Sequence, residues 1–166
     1  MIKKYIFKKY SKKYPSLFNK EKKKLEKIIP FFQSIEHIGS TSIPELGGKG
    51  IIDVLLVLNN KKDMKKAEKL LIKNNYEIMS HVSNETRISF KKFYGFLLFK
   101  RRVHIHLTYK NSKTHKETLN FKKKLMKNKK LIKEYIQLKK EAVKIANENG
   151  KIYRDYKQKF IQHYSK

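Results

Sequence analysis

The stretch Ile35-Glu36-His37-Ile38-Gly39-Ser40-Thr41-Ser42-Ile43-Pro44, continued by Lys49-Gly50-Ile51-Ile52-Asp53, decides how this chain is read. Its order is a short apolar strand, a hydroxyl-rich turn opened by glycine, a connector rich in proline and glycine, and a second apolar strand that delivers one carboxylate. That order suits phosphate chemistry. Gly39 lets the backbone come close to a phosphate, and Ser40, Thr41 and Ser42 offer donors to its oxygens. Asp53 can hold the divalent ion that phosphates bring with them. Lys49, just ahead of the Asp53 strand, either meets phosphate or is solvated.

Outward from this segment the elements follow from periodicity. Upstream, residues 1–14 interleave lysine with Tyr5, Phe7, Tyr10 and Tyr14, as an edge strand or an extended arm. Pro15 opens a helix with Leu17, Phe18, Leu25 and Ile28 on one side, and Pro30 ends it. Downstream, Ile51–Leu58 is a continuous apolar run that reads as a central buried strand. Asp63–Asn74 is an amphipathic helix. Tyr76–Ser80, Arg87–Lys92, Gly95–Phe99 and Arg102–Tyr109 read as strands, with a hairpin turn at Tyr94-Gly95. The rest is helical. Asn111 or Ser112 caps one helix. Asn128 caps another, whose stripe is Leu131, Tyr135, Leu138, Ala142 and Ile145. Asn149-Gly150 stops that helix, and a last one carries Tyr153, Tyr156, Phe160 and Tyr164. The fold class is therefore α+β: a small mixed sheet with flanking helices, residues 1–110 forming the sheet core and 111–166 a basic helical tail of one domain spanning 1–166.

Composition bounds the partners. The 166 residues contain no cysteine, which excludes disulfides and thiolate metal sites. No apolar run approaches the roughly 20 residues that span a bilayer, and the lysine-bearing N-terminus lacks the apolar core of a signal peptide, so the expected location is cytoplasmic and no membrane partner is expected. The net charge is +28, from 42 basic and 14 acidic residues. Such an excess suits a polyanion, RNA foremost, because phosphate binding releases condensed counterions. All but Arg87, Arg101, Arg102 and Arg154 of the basic residues are lysines. Lysine drift in an AT-rich genome produces the same profile.

Two further constellations bear on chemistry. His104 and His106, two apart on a strand, share a face. Either imidazole could act as a general base near neutral pH, the pair could ligate Mn²⁺ or Zn²⁺ or contact phosphate as imidazolium, or both could simply be hydrogen-bonded on a sheet face. Glu36 and His37 are adjacent on a strand, so one faces the Asp53 site and the other does not. Glu36 is taken as the inward residue and as a second metal carboxylate.

The ordered set YSKKYPSLF (10–18), EHIGSTSIP (36–44), KGIIDV (49–54), His104-Ile105-His106-Leu107, Tyr135 with Leu138 and Lys139, and Tyr153 with Lys157 and Phe160 resembles the GrpB family of nucleotidyltransferase-like proteins over nearly the whole chain. The resemblance implies the polymerase-β-type nucleotidyltransferase fold and, beyond it, transfer of a nucleoside monophosphate from an NTP with Mg²⁺ or Mn²⁺. It also implies phosphate-binding roles for Arg87, Lys139 and Lys157. One departure from the wider superfamily is plain: position 55, where a second carboxylate stands two residues after the first, is Leu55. With the excess charge, the expectation is a metal-dependent nucleotidyltransferase acting on an RNA hydroxyl, the 3′ end of a tRNA above all. Asp53 and Glu36 would bind metal, Asp53, Glu36, His104 and His106 would carry catalysis, and Gly39 to Ser42, Lys49, Arg87, Lys139 and Lys157 would hold the nucleotide. The alternatives are a non-catalytic RNA- or nucleotide-binding module and a transferase acting on a small molecule or a protein.

Overall fold

Pro15 in the first turn supplies a preset φ, and the backbone turns at Ile29 just before Pro30, so the first helix is α1 (Tyr14–Ile28). The computed structural model describes residues 7–95, 101–147 and 149–166. After α1 come β1 (Phe32–Ile38), β2 (Ile52–Leu58), α2 (Met64–Lys73), β3 (Glu77–Ile78), β4 (Ile88–Tyr94), β5 (Arg101–Tyr109), α3 (Lys113–Lys127), α4 (Lys129–Ala146) and α5 (Gly150–Ser165). The strands form one five-stranded sheet in the order β1-β2-β5-β4-β3, antiparallel except for the parallel pair β2 and β5. The architecture is the expected α+β class.

Alternation along the strands sorts side chains to two faces. On one, Val54 and Leu56 of β2, Phe90 of β4 and Ile105 and Leu107 of β5 pack with Phe18 and Leu25 of α1 and with Ala67 and Leu71 of α2. This is the main core. On the other face Ile38, Leu55 and Val57 meet Leu119 of α3. A separate cluster joins the turn residues Ile43 and Leu46 to Leu125, Leu131 and Tyr135, and so binds the helical tail to the connector that precedes Asp53.

Several expected elements differ in detail. The strand placed first in prominence, β2, has neighbours on both sides, but β5 is the middle strand of the five. The strand expected over Tyr76–Ser80 contracts to Glu77–Ile78, because Ser80–Val82 turns in a 3₁₀ step. Tyr94 stays in β4, paired with Arg101, and the backbone bends at Gly95 with φ +90°. The strand expected at Gly95–Phe99 lies largely outside the described residues. Of the N-terminal stretch, Lys8 makes a single bridge to Gly48. Ser112, not Asn111, caps α3 by accepting from the His115 N–H. Asn128 caps α4 as expected, accepting from the Leu131 N–H. Asn147, in the left-handed conformation, ends α4. Asn149 instead caps α5, accepting from the N–H groups of Lys151 and Ile152, and Gly150 is the first residue of that helix. Ile145 and Tyr156 fall on exposed sides of their helices.

Gly39, directly after β1, has φ 69° and ψ −172°. That region is open essentially to glycine alone. A Cβ built there would come 2.4 Å from Asp53 Oδ2. The turn thus closes on the carboxylate, and Gly39→Ala is expected to lower stability by about 2 kcal/mol or more, measured by urea unfolding, through both backbone strain and displacement of Asp53.

Candidate nucleotide and phosphate cleft

Register places the chemistry. Asp53 sits opposite Ile38 on β1 and opposite His104 on β5, and Leu55 sits opposite Glu36 and His106. Asp53, Leu55, Glu36, His104 and His106 therefore all project from the face away from the main core. His104 Nδ1 and His106 Nε2 approach the same oxygen, Asp53 Oδ1, at 3.4 and 3.6 Å. Burial pushes the Asp53 carboxyl up, but hydrogen bonding from the two imidazoles and their charge outweigh burial and hold it below the usual carboxylate range. Burial pulls His106 down, against the opposing pull of Asp53. Its Nδ1 is buried with no partner among the described residues.

His37 lies on the opposite face. Its ring stacks on Phe18 at 4.6 Å and its Nε2 is 3.0 Å from Thr41 Oγ1. Burial, then the charge of Lys122, lower it to about 4, so it is a neutral structural imidazole at ordinary pH. Glu36 is on the site's face, as expected of the pair. It is nevertheless one same-face position further along β1 than the residue opposite Asp53, and it does not line the cleft. The antiparallel register gives that place to Ile38, and the expected Asp53–Glu36 metal pair is not brought together.

The cleft itself, about 400 Å³, opens between this sheet face and the helical tail. Gly39, Ser40, Lys49, Asp53, Arg87, His106, Lys139 and Lys157 all line it. Thr41 and Ser42, expected as phosphate donors, do not. The Thr41 hydroxyl donates to the Ile51 carbonyl at 3.0 Å and that of Ser42 to the Gly39 carbonyl at 2.8 Å, so both hold the turn's shape. Ser40 sits against Gly48, where a Cβ would lie 2.3 Å from its Oγ. Lys122 of α3, which donates to the His37 carbonyl at 2.7 Å, also lines the cleft. Nothing in the sequence singles it out among so many lysines; helix packing alone brings it there.

The tail delivers two lysines that sequence position alone leaves 18 residues apart. Lys139 of α4 is 2% exposed and donates to the Gly47 carbonyl. Lys157 of α5 and Lys49 of the connector hold their ammonium groups 4.6 and 4.1 Å from the ring centre of Tyr153. Lys139 stands 4.9 Å from the ring of Tyr135. Burial and mutual repulsion depress these amines, with Asp53 opposing the shift in each. Lys49 falls to about 7, from burial and then Lys157, and Lys139 to about 7 for the same reasons. Lys157 falls to about 8, chiefly from burial. Burial also lowers Arg87. Its guanidinium donates to the Val82 carbonyl at 2.7 Å, and its Nε is buried without a partner among the described residues. The cleft therefore holds more positive charge than Asp53 and Glu117 can balance, and an anion would relieve it.

A resident metal fits poorly. Among the described residues no group of three or more His, Cys, Asp or Glu is arranged to hold a metal ion. Leu55 occupies the second carboxylate's place.

The model of the GrpB family, described as GrpB protein, matches residues 5–166, and the chain belongs to that family. It is 29% identical over 154 residues to the Glutamate-rich protein GrpB of Alkalihalophilus pseudofirmus, covering 92% of this chain and 88% of the relative. It is 29% identical over 133 residues to the UPF0157 protein YqkA of Bacillus subtilis, and those residues span 80% of this chain but only 38% of that protein. The crystal structure of the conserved protein GrpB from Enterococcus faecalis superposes with a TM-score of 0.81 at 25% identity, over 96% of this chain and 94% of the other.

The lysine cluster makes two predictions. Ligand-free protein is expected to gain thermal stability as pH rises from 7 to 9.5. The folded state binds fewer protons than the unfolded chain at Lys49, Lys139 and Lys157 in that window, so stability increases with pH until the unfolded lysines titrate. Tripolyphosphate is expected to bind more tightly as pH falls from 9 to 7, because it favours the charged amines. Calorimetry at each pH checks this. Lys139→Met is expected to weaken tripolyphosphate about tenfold or more while leaving the ligand-free melting temperature equal or higher, since a desolvated charge is removed along with its anion contact.

Proposed function

We propose that this protein binds a nucleoside triphosphate, together with the divalent ion it carries, in the lysine-lined cleft and transfers its nucleoside monophosphate to a hydroxyl of an RNA, the 3′ end of a tRNA being the preferred acceptor. The observation that carries the reading is the convergence of three lysines, Lys139 buried and Lys49 and Lys157 half-buried, from three different segments on the one strand carboxylate behind the Gly39-Ser40 turn. Gathering three amines around a single carboxylate in a partly desolvated cleft is costly for stability alone. An anion that enters and leaves accounts for it.

In this reading Lys49, Lys139 and Lys157 neutralise the triphosphate, and Gly39 with Ser40 presents backbone and hydroxyl donors. Asp53 takes the ion that comes with the nucleotide, Mg²⁺ or Mn²⁺. The acceptor hydroxyl attacks the α-phosphorus, the new O–P bond forms as the bond to pyrophosphate breaks, and the hydroxyl proton passes to an imidazole beside Asp53. His106 lines the cleft but its second nitrogen is buried, so His104, against Asp53 and outside the lining, suits this better. Positive charge elsewhere on the chain would hold the RNA backbone without reading its sequence.

A second reading has its own support. Both imidazoles already lean on Asp53 Oδ1 and Leu55 replaces a carboxylate, which suits a module that binds nucleotide or RNA without turnover. Incubation with each α-³²P-labelled NTP, Mg²⁺ or Mn²⁺ and total tRNA separates the two. Labelled RNA from the wild type that falls by about 10²–10³-fold in Asp53→Ala supports transfer. Tight tRNA binding by both proteins with no label in either supports the module.

A further inference from the structure

The tail helices cover only part of the sheet face that carries Asp53. Ile38, Leu55 and Val57 lie under α3, whereas Glu77 of β3 and Phe93 of β4, toward the far edge, are exposed. Along that face the register sets two rows. Glu77, Lys91, His104 and Asp53 run straight across β3, β4, β5 and β2, and Phe93 of β4 faces Arg102 of β5 in the next same-face row. Phe93 is 42% exposed, which is uncommon for so large an apolar ring on a sheet. The Arg102 guanidinium lies 5.0 Å from its ring centre and the Lys91 ammonium 5.8 Å. Lys91 is paired with Glu77 at 3.0 Å, so the strip's outer end is close to neutral and its positive end, at Arg102, points toward Asp53.

We propose that this strip, Phe93 with Arg102 and Lys91, is a stacking platform for the 3′-terminal bases of a single-stranded RNA. The inference rests on the transfer reading above, and it names the side from which the acceptor comes. The nucleotide cleft lies on the helical-tail side of Asp53; the strip lies on the sheet side. Arg102 and Asp53 are on neighbouring strands and two residues out of row, roughly 8 Å between backbones from the strand spacing and rise. A base stacked on Phe93 therefore leaves its sugar within reach of the carboxylate. An exposed aromatic with a guanidinium beside it is the element by which proteins hold unpaired bases regardless of sequence, the ring stacking and the cation meeting phosphate. The Glu77 carboxylate repels a backbone at the outer end, which leaves the Arg102 side as its path.

The test uses a 12-mer of adenosine ribonucleotides, labelled with 5′-fluorescein for anisotropy and unlabelled for fluorescence quenching. Phe93→Ala is expected to weaken binding roughly five- to hundredfold, and Arg102→Ala to reduce the salt slope by about 0.7. The chain has no tryptophan, so Phe93→Trp supplies a single reporter. It is expected to restore binding and to be quenched by the oligonucleotide. Wild-type affinity in Phe93→Ala, or an unquenched Phe93→Trp at saturation, overturns the proposal. MgATP calorimetry on the same wild-type preparation separates this claim from the one beneath it. Oligonucleotide binding through Phe93 without MgATP binding upholds the platform and removes the transfer reading; MgATP binding without oligonucleotide binding overturns the platform.

Discussion

The charge of Asp53 is the constraint around which the rest of the structure is arranged. It is held ionised in a half-buried place by two imidazoles, and it in turn pulls on Lys49, Lys139, Lys157 and His37. The three lysines belong to segments that would otherwise have no reason to meet. Their attraction to one carboxylate, and their repulsion of one another, set the cleft's character: positive in excess and ready for an anion. The close approach of Gly39 to Asp53 follows from the same demand, since any side chain at position 39 would occupy the space the carboxylate uses.

The parallel pairing of β2 with β5 is what makes the arrangement possible. A parallel neighbour needs a long crossover, and here α2, β3 and β4 supply it. The crossover lets His104 and His106 stand beside Asp53 although about fifty residues separate them. It also leaves one sheet face packed on α1 and α2 for stability and the other only partly covered. The main core can then be ordinary and apolar, while polar and charged groups collect on the face where helices and sheet part. Stability and chemistry are divided between the two faces of one sheet.

Buried cations have a cost that the core must offset. Lys139 is nearly inaccessible, yet the Gly47 carbonyl and the Tyr135 ring that meet its ammonium are both neutral. Glu21 shows the contrasting solution on the other face, where the Tyr76 and Tyr94 hydroxyls donate to one carboxylate oxygen at 2.6 and 3.0 Å. There one oxygen of a buried carboxylate takes both hydroxyls, while Oε2 has no hydrogen-bond partner among the described residues. The difference is one of place: the Glu21 network is enclosed in the core, whereas the excess of positive groups on the other face lines an open cleft.

Much of this was legible along the chain. The apolar run before Asp53, the glycine turn, the paired histidines and the helix caps at Ser112 and Asn128 are local patterns, and local sterics and hydrogen bonding act on neighbours in sequence. Gly39 and Asp53 could be joined because a strand–turn–strand unit closes on itself. What the sequence by itself left open was every choice that depends on register or on packing between distant elements. Glu36 and His37 both fit the strand, and only the antiparallel pairing put Ile38 opposite Asp53. Thr41 and Ser42 looked free until the turn folded back on its own carbonyls. Lys139 and Lys157 were two lysines among many, and Lys122 was not distinguished at all. Lysines on a helix carry no signal of where they point; that was decided when α3, α4 and α5 packed against the connector, because burial and convergence are properties of the assembled layers and not of any one segment.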